Sequence, residues 1–413
     1  MPDTGYNYRI IFRIIWCHSH IIFSKEITYK IMKEKLSLPE KFEEFSDARK
    51  NGFLKVKALK EQGKLVAGIF CTFTPLEILD AAGFVSVSLC GMSAETIPDA
   101  EVDLPKNLCP LIKSSYGFYV SDKCPYTYFS DLIVGETTCD GKKKMYELMS
   151  KGKKTFILHL PQSEEEFEVD AWEKELNRFK EYIEKEFGVE ITEEKLREAA
   201  KLRNIERTER RKLMEVQLTN PAPASGLDLY KTFDGVGFLF DEQERIDKLK
   251  GLREDIEKNG DANINKGKKR ILVTGCPIGG VLDKTVGAIE KSNGNVVCYE
   301  NCAGLKACLR LVDEKSDNMI RAIATRYLSI GCAVMTPDTT RMKNLKELVK
   351  EYQIDGVINV TLHACTTYDV ESKIVADLMK EIGMPYMSVE CDYTAGDEGQ
   401  LLTRIQAFIE MLK

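Results

Sequence analysis

Between residues 37 and 63 apolar positions recur near helical spacing, at Phe42, Phe45, Ala48 and Phe53, and Gly63 ends the run. The period then changes. "KLVAGIFC" (64–71) is a short unbroken apolar run and "FVSVSLC" (84–90) alternates, so both predict strands, closing at Cys71 and Cys90. Between them Thr74-Pro75 opens a helix that stops at Gly83, with proline preorganised for the first turn and glycine suited to the exit. Cys109 stands at the entry to another helix begun by Pro110. "DLIVGETTCDGKKKMYELM" then reads as strand, Cys139, turn and helix.

From about 162 to 220 strand signals vanish and the pattern is charged and helical. "EVDAWEKELNRFKEYIEKEFG" ends at Gly188. Thr192 can cap the next helix, with Glu193 and Glu194 in its first turn, where negative charge suits the helix dipole. Leu196, Ala199, Ala200, Leu202 and Ile205 form its apolar stripe, and the alternating Lys and Glu predict a solvated face. "TNPAPASG" (219–226) is a turn-rich break. Strands return with "RILVTGC", "GNVVCYENC", "DGVINVTLHAC" and "MPYMSVECDY", separated by helices. Strands alternating with helices imply parallel sheets covered on both faces. The expected fold is α/β, two open parallel-sheet (Rossmann-like) domains facing a cleft and joined by a helical segment. The boundaries expected are a doubtful N-terminal extension (1–36), a first α/β domain (37–161), a helical connection (162–262) and a second α/β domain (263–413).

Composition narrows the function. A chain of 413 residues with 43% hydrophobic and 30% charged residues is an ordinary globular protein with room for two or three domains. A net charge of −6 argues against a general nucleic-acid binder. No run approaches about 18 apolar residues, so no membrane span is expected. Residues 1–31 are too polar to cross a bilayer and lack a signal-peptide cleavage site, so they read as a mis-called start or dispensable extension in which Cys17, His18 and His20 carry no function.

Thirteen cysteines are many for such a chain, and an odd number without a signal peptide points to reduced thiols and a cytoplasmic setting. With four histidines in all, a metal site here must be dominated by thiolate, which favours zinc or iron–sulfur. No CxxC pair exists, which excludes zinc ribbons, thioredoxin-type redox sites and ferredoxin runs. "VTGCPIGG" lacks both dinucleotide and P-loop signatures. Cys71, Cys90 and Cys139 end strand-like runs in the first half, and Cys276, Cys302, Cys365 and Cys391 do so in the second. Ligands of open α/β sheets bind outside the carboxyl ends of the strands. Thiols at these ends therefore face one cleft. Buried cysteine is also ordinary packing, the reading preferred for Cys90, Cys298, Cys308 and Cys391.

"FCTFTPLEILDAAG", "LPKNLCPLIKSSYGF", "DKCPYTYFSDLIVGETTCDGKKKMYELM", "TGCPIGG", "YENCAG" and "DGVINVTLHACTTYDVES" resemble the 2-hydroxyacyl-CoA dehydratase and benzoyl-CoA reductase superfamily, and more narrowly its double-cubane cluster branch. The resemblance runs from about residue 37 to the C-terminus. It implies an iron–sulfur cluster held by cysteines of both domains and reduced by a separate ATP-hydrolysing iron–sulfur activator under anaerobic conditions. Cys109, Cys139 and Cys365 match the superfamily ligands. Cys71, Cys302 and Cys332 are the choice for a second cubane, with Cys276 and Cys124 in reserve. The implied function is a reductive enzyme, a homodimer without nucleic-acid or membrane partners, acting on a small-molecule substrate.

Two alternatives stand beside it. One is a 2-hydroxyacyl-CoA dehydratase subunit using a single 4Fe–4S cluster and ketyl-radical chemistry, as lyases of that kind do, in a heterodimer. The other is a non-catalytic electron carrier. The branch often places histidine directly after the cysteine of the 365 region, whereas this chain has Thr366 there and His363 upstream, so a histidine donor is displaced. Ser114, Ser115 and Tyr116 are candidates to line the site or, equally, to pack at a helix start.

Overall fold

The computed structural model describes residues 38–413. The reading of residues 1–31, with Cys17, His18 and His20, falls outside the described residues.

Among the described residues, eight strands form two four-stranded sheets, and every pairing is parallel. The first holds β1 (Leu65–Ile69), β2 (Phe84–Ser88), β3 (Leu132–Glu136) and β4 (Thr155–Leu158), in the order β2-β1-β3-β4. The second holds β5 (Lys269–Gly275), β6 (Gly294–Glu300), β7 (Gly356–Leu362) and β8 (Tyr386–Cys391), in the order β6-β5-β7-β8. The two orders are the same. Each chain half starts at an inner strand, goes to one edge, then returns to the other side of its starting strand. β3, β6 and β7 are buried along their whole length. Helices on both faces require this, because a doubly covered strand cannot alternate inward and outward.

Four helices lie between the sheets in sequence, Glu166–Phe187, Glu193–Glu215, Gly226–Val236 and Glu242–Asn259. The first buries Trp172, Leu176, Phe179 and Ile183, one face at helical spacing, and Phe179 packs on Phe156 of β4 at 4.8 Å between ring centres. Each such fully buried side chain contributes on the order of 1.5–3 kcal/mol.

Thr192 caps Glu193–Glu215 by accepting from the Lys195 amide at 3.2 Å. The face of that helix departs from expectation. Ile205 is 40% exposed, while Arg203, Glu206, Arg207 and Glu209 are buried. Their charges are met by partners far away in sequence, such as Asp80 for Arg203 and Glu77 for Arg207, so charge alternation here does not mark a solvated surface.

Other elements differ in smaller ways. β4 is a strand that the pattern did not reveal, being four residues long. Phe42 is buried, but Phe53 is 40% exposed. Asp140 and Gly141 form no separate turn, since the helix Asp140–Met149 begins on them directly. No helix among the described residues is long and apolar enough to cross a membrane.

Candidate functional site

In a sheet of order 2-1-3-4 the crevice opens at the carboxyl ends of strands 1 and 3, where the chain direction switches sides. Thiols stand at both switch points. Cys71 lies two residues beyond β1 and Cys139 three beyond β3; Cys276 directly follows β5 and Cys365 lies three beyond β7. The second strand of each sheet adds one more, Cys90 after β2 and Cys302 after β6, both two residues past the strand end. These thiols line a single cavity of about 780 Å³, together with Cys109, Cys124 and Cys332. Nine of the twelve described cysteines thus share one volume.

Local structure aims them there. Cys109, Cys139 and Cys365 are the N-cap residues of Pro110–Val120, Asp140–Met149 and Thr366–Glu381, and none spends its side chain on a capping bond. Serine or aspartate at these positions would turn back onto the helix amides. A cysteine here leaves its sulfur toward the cavity, while the helix N-terminus favours negative charge on it. Cys124, also an N-cap, does accept from the Thr127 amide, at 3.4 Å.

Backbone conformation helps at three places, Cys365 among them. Gly275, Gly331 and Ala364, directly before Cys276, Cys332 and Cys365, have φ of +113°, +71° and +56°. A side chain at Gly275 would meet the Val360 carbonyl at 2.1 Å, so only glycine lets Cys276 enter there and donate its amide to the same carbonyl at 3.0 Å. Ala364 holds the left-handed conformation without glycine's freedom, a strain that costs about 1–2 kcal/mol.

The thiols sense one another in two groups. Cys109 and Cys365 share a hydrogen bond, which draws the Cys109 thiol down to about 7 against the opposing effect of burial, and raises Cys365. Cys276 lies within electrostatic reach of both. Cys71 lies within reach of Cys302 and Cys332, and burial raises its thiol well above the ordinary value. Cys139 is linked to the rest through Lys142, whose ammonium also faces Cys71 and Cys90 and donates to the Phe70 carbonyl at 3.4 Å. Lys143, by contrast, points outward to Asp140.

Behind Cys302 and Cys332 lies a buried charged network. Lys306, 1% exposed, donates to the Tyr368 hydroxyl at 2.8 Å, and that hydroxyl lies 3.5 Å from Cys332 Sγ. Lys306 also pairs with Glu300 at 3.5 Å, which Arg341 holds from the other side at 3.2 Å. The cavity lining itself carries eight lysines and arginines against Asp140, Glu206 and Asp234, so its field favours anions.

All six cysteines singled out as ligands therefore line the cavity, as do the reserves Cys276 and Cys124. Cys90, read as packing, lines it too, with its thiol donated to the Phe70 carbonyl at 3.2 Å. Cys298, Cys308 and Cys391 are buried elsewhere. Cys391 ends β8, an edge strand away from the switch point, and donates to the Thr361 carbonyl.

Ser114, Ser115 and Tyr116 are buried but absent from the lining. Ser114 and Ser115 accept from the amides of Ser93 and Gly91, and Tyr116 donates to Asp103 at 2.9 Å, so they fix a loop. His363 is exposed and pairs with Glu390 at 2.6 Å, outside the cavity. What the sequence reading missed is the arginine wall of the cavity, formed by Arg203, Arg207, Arg210, Arg245 and Arg326.

Among the described residues no three His, Cys, Asp or Glu side chains stand close enough to hold one metal ion. A single zinc needs four donors within about 2.3 Å of it. An iron–sulfur group takes its thiolates around the outside of a polynuclear body. Nine thiols round one cavity, four of them at helix N-termini, are donors of the chemistry that the second kind of group takes.

The sequence profile of a family described as 2-hydroxyglutaryl-CoA dehydratase, D-component, matches residues 71–412. A putative dehydratase subunit, YjiM, of Escherichia coli (strain K12) is 48% identical over 378 residues, covering 91% of this chain and 98% of the relative. The beta subunit of (R)-phenyllactyl-CoA dehydratase of Clostridium sporogenes is 23% identical, covering 90% and 98%. The beta subunit of (R)-2-hydroxyglutaryl-CoA dehydratase of Acidaminococcus fermentans is 23% identical, covering 91% and 99%.

Proposed function

The chain belongs to the family of the 2-hydroxyglutaryl-CoA dehydratase D-component, and from that premise we propose that it is an iron–sulfur reductive enzyme acting on a small substrate. Low-potential electrons would come from a separate ATP-hydrolysing iron–sulfur activator. The observation that carries this reading is the convergence of Cys71, Cys109, Cys139, Cys302, Cys332 and Cys365, from both sheets, on one cavity. Cys109, Cys139 and Cys365 would hold one cubane and Cys71, Cys302 and Cys332 the other, with Cys276 beside the first set. Such a group, when bound, supplies single electrons at low potential.

The chain's own residues prepare the chamber. Three helix N-termini, Lys142 and Lys306 offset the negative charge of thiolates. Leu108, Ile112 and Phe118 give one wall an apolar surface that limits water. The Tyr368 hydroxyl, fixed by Lys306 beside Cys332, is a polar group that can orient a small molecule.

The second reading, a dehydratase subunit with one 4Fe–4S cluster, is favoured by the 48% identity to a putative dehydratase subunit. Metal analysis after anaerobic purification separates the two. A double cubane gives about eight irons per chain and a single cubane about four. A companion subunit that co-purifies accompanies the second outcome, and a homodimer the first. A chain with no iron after reconstitution would contradict both.

A further inference from the structure

The arginine wall is the feature that the cluster reading leaves unexplained. Arg203, Arg207 and Arg210 project from Glu193–Glu215, Arg245 from Glu242–Asn259 and Arg326 from Met319–Leu328, and all five line the cavity. Most are matched. Arg203 is held by Asp80 and Glu206, Arg207 by Glu77 at 2.6 Å, and Arg245 by Glu206 at 3.2 Å, with Glu242 beside Arg203 and Arg245. Two are not.

Arg326 is 4% exposed and pairs with no carboxylate among the described residues; its Nε and Nη2 donate to the carbonyls of Arg310 and Ala307. Burial, then the neighbouring Arg207, lowers it to about 10, against the weaker raising effects of Tyr327 and Glu77. Arg210 shares Glu206 at a long 3.4 Å, and its Nε is buried with no hydrogen-bond partner. Leaving a buried charged donor unmade is costly, so the Arg210 Nε calls for a partner from within the cavity.

The position is informative. Arg210 Nη2 also reaches the Ala303 carbonyl at 3.4 Å, one residue from Cys302. A group held by Arg210 and Arg326 therefore has the thiol-lined part of the same cavity as its neighbour. The other four guanidiniums share the carboxylates of Glu77, Asp80, Glu206 and Glu242, and Arg326 forms an ion pair with none of these. A carboxylate supplies one negative charge and two acceptor oxygens, and guanidinium N–H groups match it well.

We propose that Arg210 and Arg326 form a binding subsite for a carboxylate of a small organic acid, which places the remainder of that acid toward Cys302. The proposal rests on the reductive reading only for what happens to the acid afterwards. Its binding depends on the arginines alone.

The test is calorimetric titration of succinate and of inorganic phosphate into the full chain at constant ionic strength, on cluster-loaded and metal-free protein. Saturable succinate binding to both forms is expected, weakened ten-fold or more in Arg326→Gln and in Arg210→Gln. Succinate should also protect Arg326 and Arg210 of the unaltered protein from phenylglyoxal, mapped by mass spectrometry, a readout that survives if a variant fails to fold. No saturable succinate binding, tighter binding of phosphate than of succinate, or labelling of both arginines unchanged by succinate would each overturn the proposal. Failure of iron to bind while succinate still does would instead count against the cluster.

Discussion

Replacing Cys365 by serine is expected to empty the cavity of iron while leaving the fold in place. The side chain is half-buried on the cavity wall, and the hydrogen bond it shares with Cys109 draws the Cys109 thiol below the ordinary range. Serine keeps the volume and a hydroxyl but is a poor ligand for iron. Even changes outside the immediate ligands cost metal sites about 10–100-fold in affinity, so iron per chain should fall at least that steeply. Cys391→Ser is the matched control: Cys391 is buried too, but lies off the cavity, and that variant should keep its iron. Anaerobic iron analysis beside far-ultraviolet circular dichroism checks both. Equal iron loss in the two variants would mean that the cavity has no special part in holding it.

Arg341→Met should produce the largest loss of stability in the second sheet's surroundings. Arg341 is 1% exposed and joins Glu300 at 3.2 Å, Glu371, and the Thr274 hydroxyl at 2.8 Å. Methionine fills much of the volume and leaves both carboxylates buried without their main partner. Removing one member of a buried pair costs about 3–5 kcal/mol, because the remaining charge stays desolvated.

The effect should depend on pH. Burial pushes Glu300 up, but Arg341 and Lys306 together hold it below the ordinary carboxylate range. A depressed carboxylate gives stability that is present above its unfolded value and lost as pH falls through its folded value. The gap between the parent protein and Arg341→Met is therefore widest at neutral pH and narrows in acid. Urea unfolding across that range measures it. A gap that stays constant with pH would assign the loss to packing.

Much of the fold was legible because parallel sheets announce themselves as short apolar runs separated by helices, and the cysteines at those strand ends marked the cleft. Cys71, Cys139, Cys276 and Cys365 sit at the two switch points for that reason. β4 escaped notice because four residues carry too little pattern. The strand-end rule also overreached at Cys391, since a strand end at a sheet edge need not face the crevice.

The arginine wall was illegible for a different reason. Arg203 and Arg207 look like solvated helix residues until Asp80 and Glu77, well over a hundred residues earlier, fold against them. Sequence periodicity reports which face of a helix is apolar, not which charges will find partners. Ser114 and Ser115 show the converse. A site role and packing at a helix start stood equal for them, and their hydrogen bonds hold the loop at Gly91 and Ser93.

Diffraction from anaerobically grown crystals, collected above and below the iron absorption edge, addresses the thiol-lined cavity as the iron–sulfur site. The expected result is strong anomalous density inside it, in contact with Cys109, Cys139 and Cys365 and, for a double cubane, with Cys71, Cys302 and Cys332 as well. Intact thiols around a cavity without anomalous density, in protein that carries iron elsewhere or none at all, would contradict it.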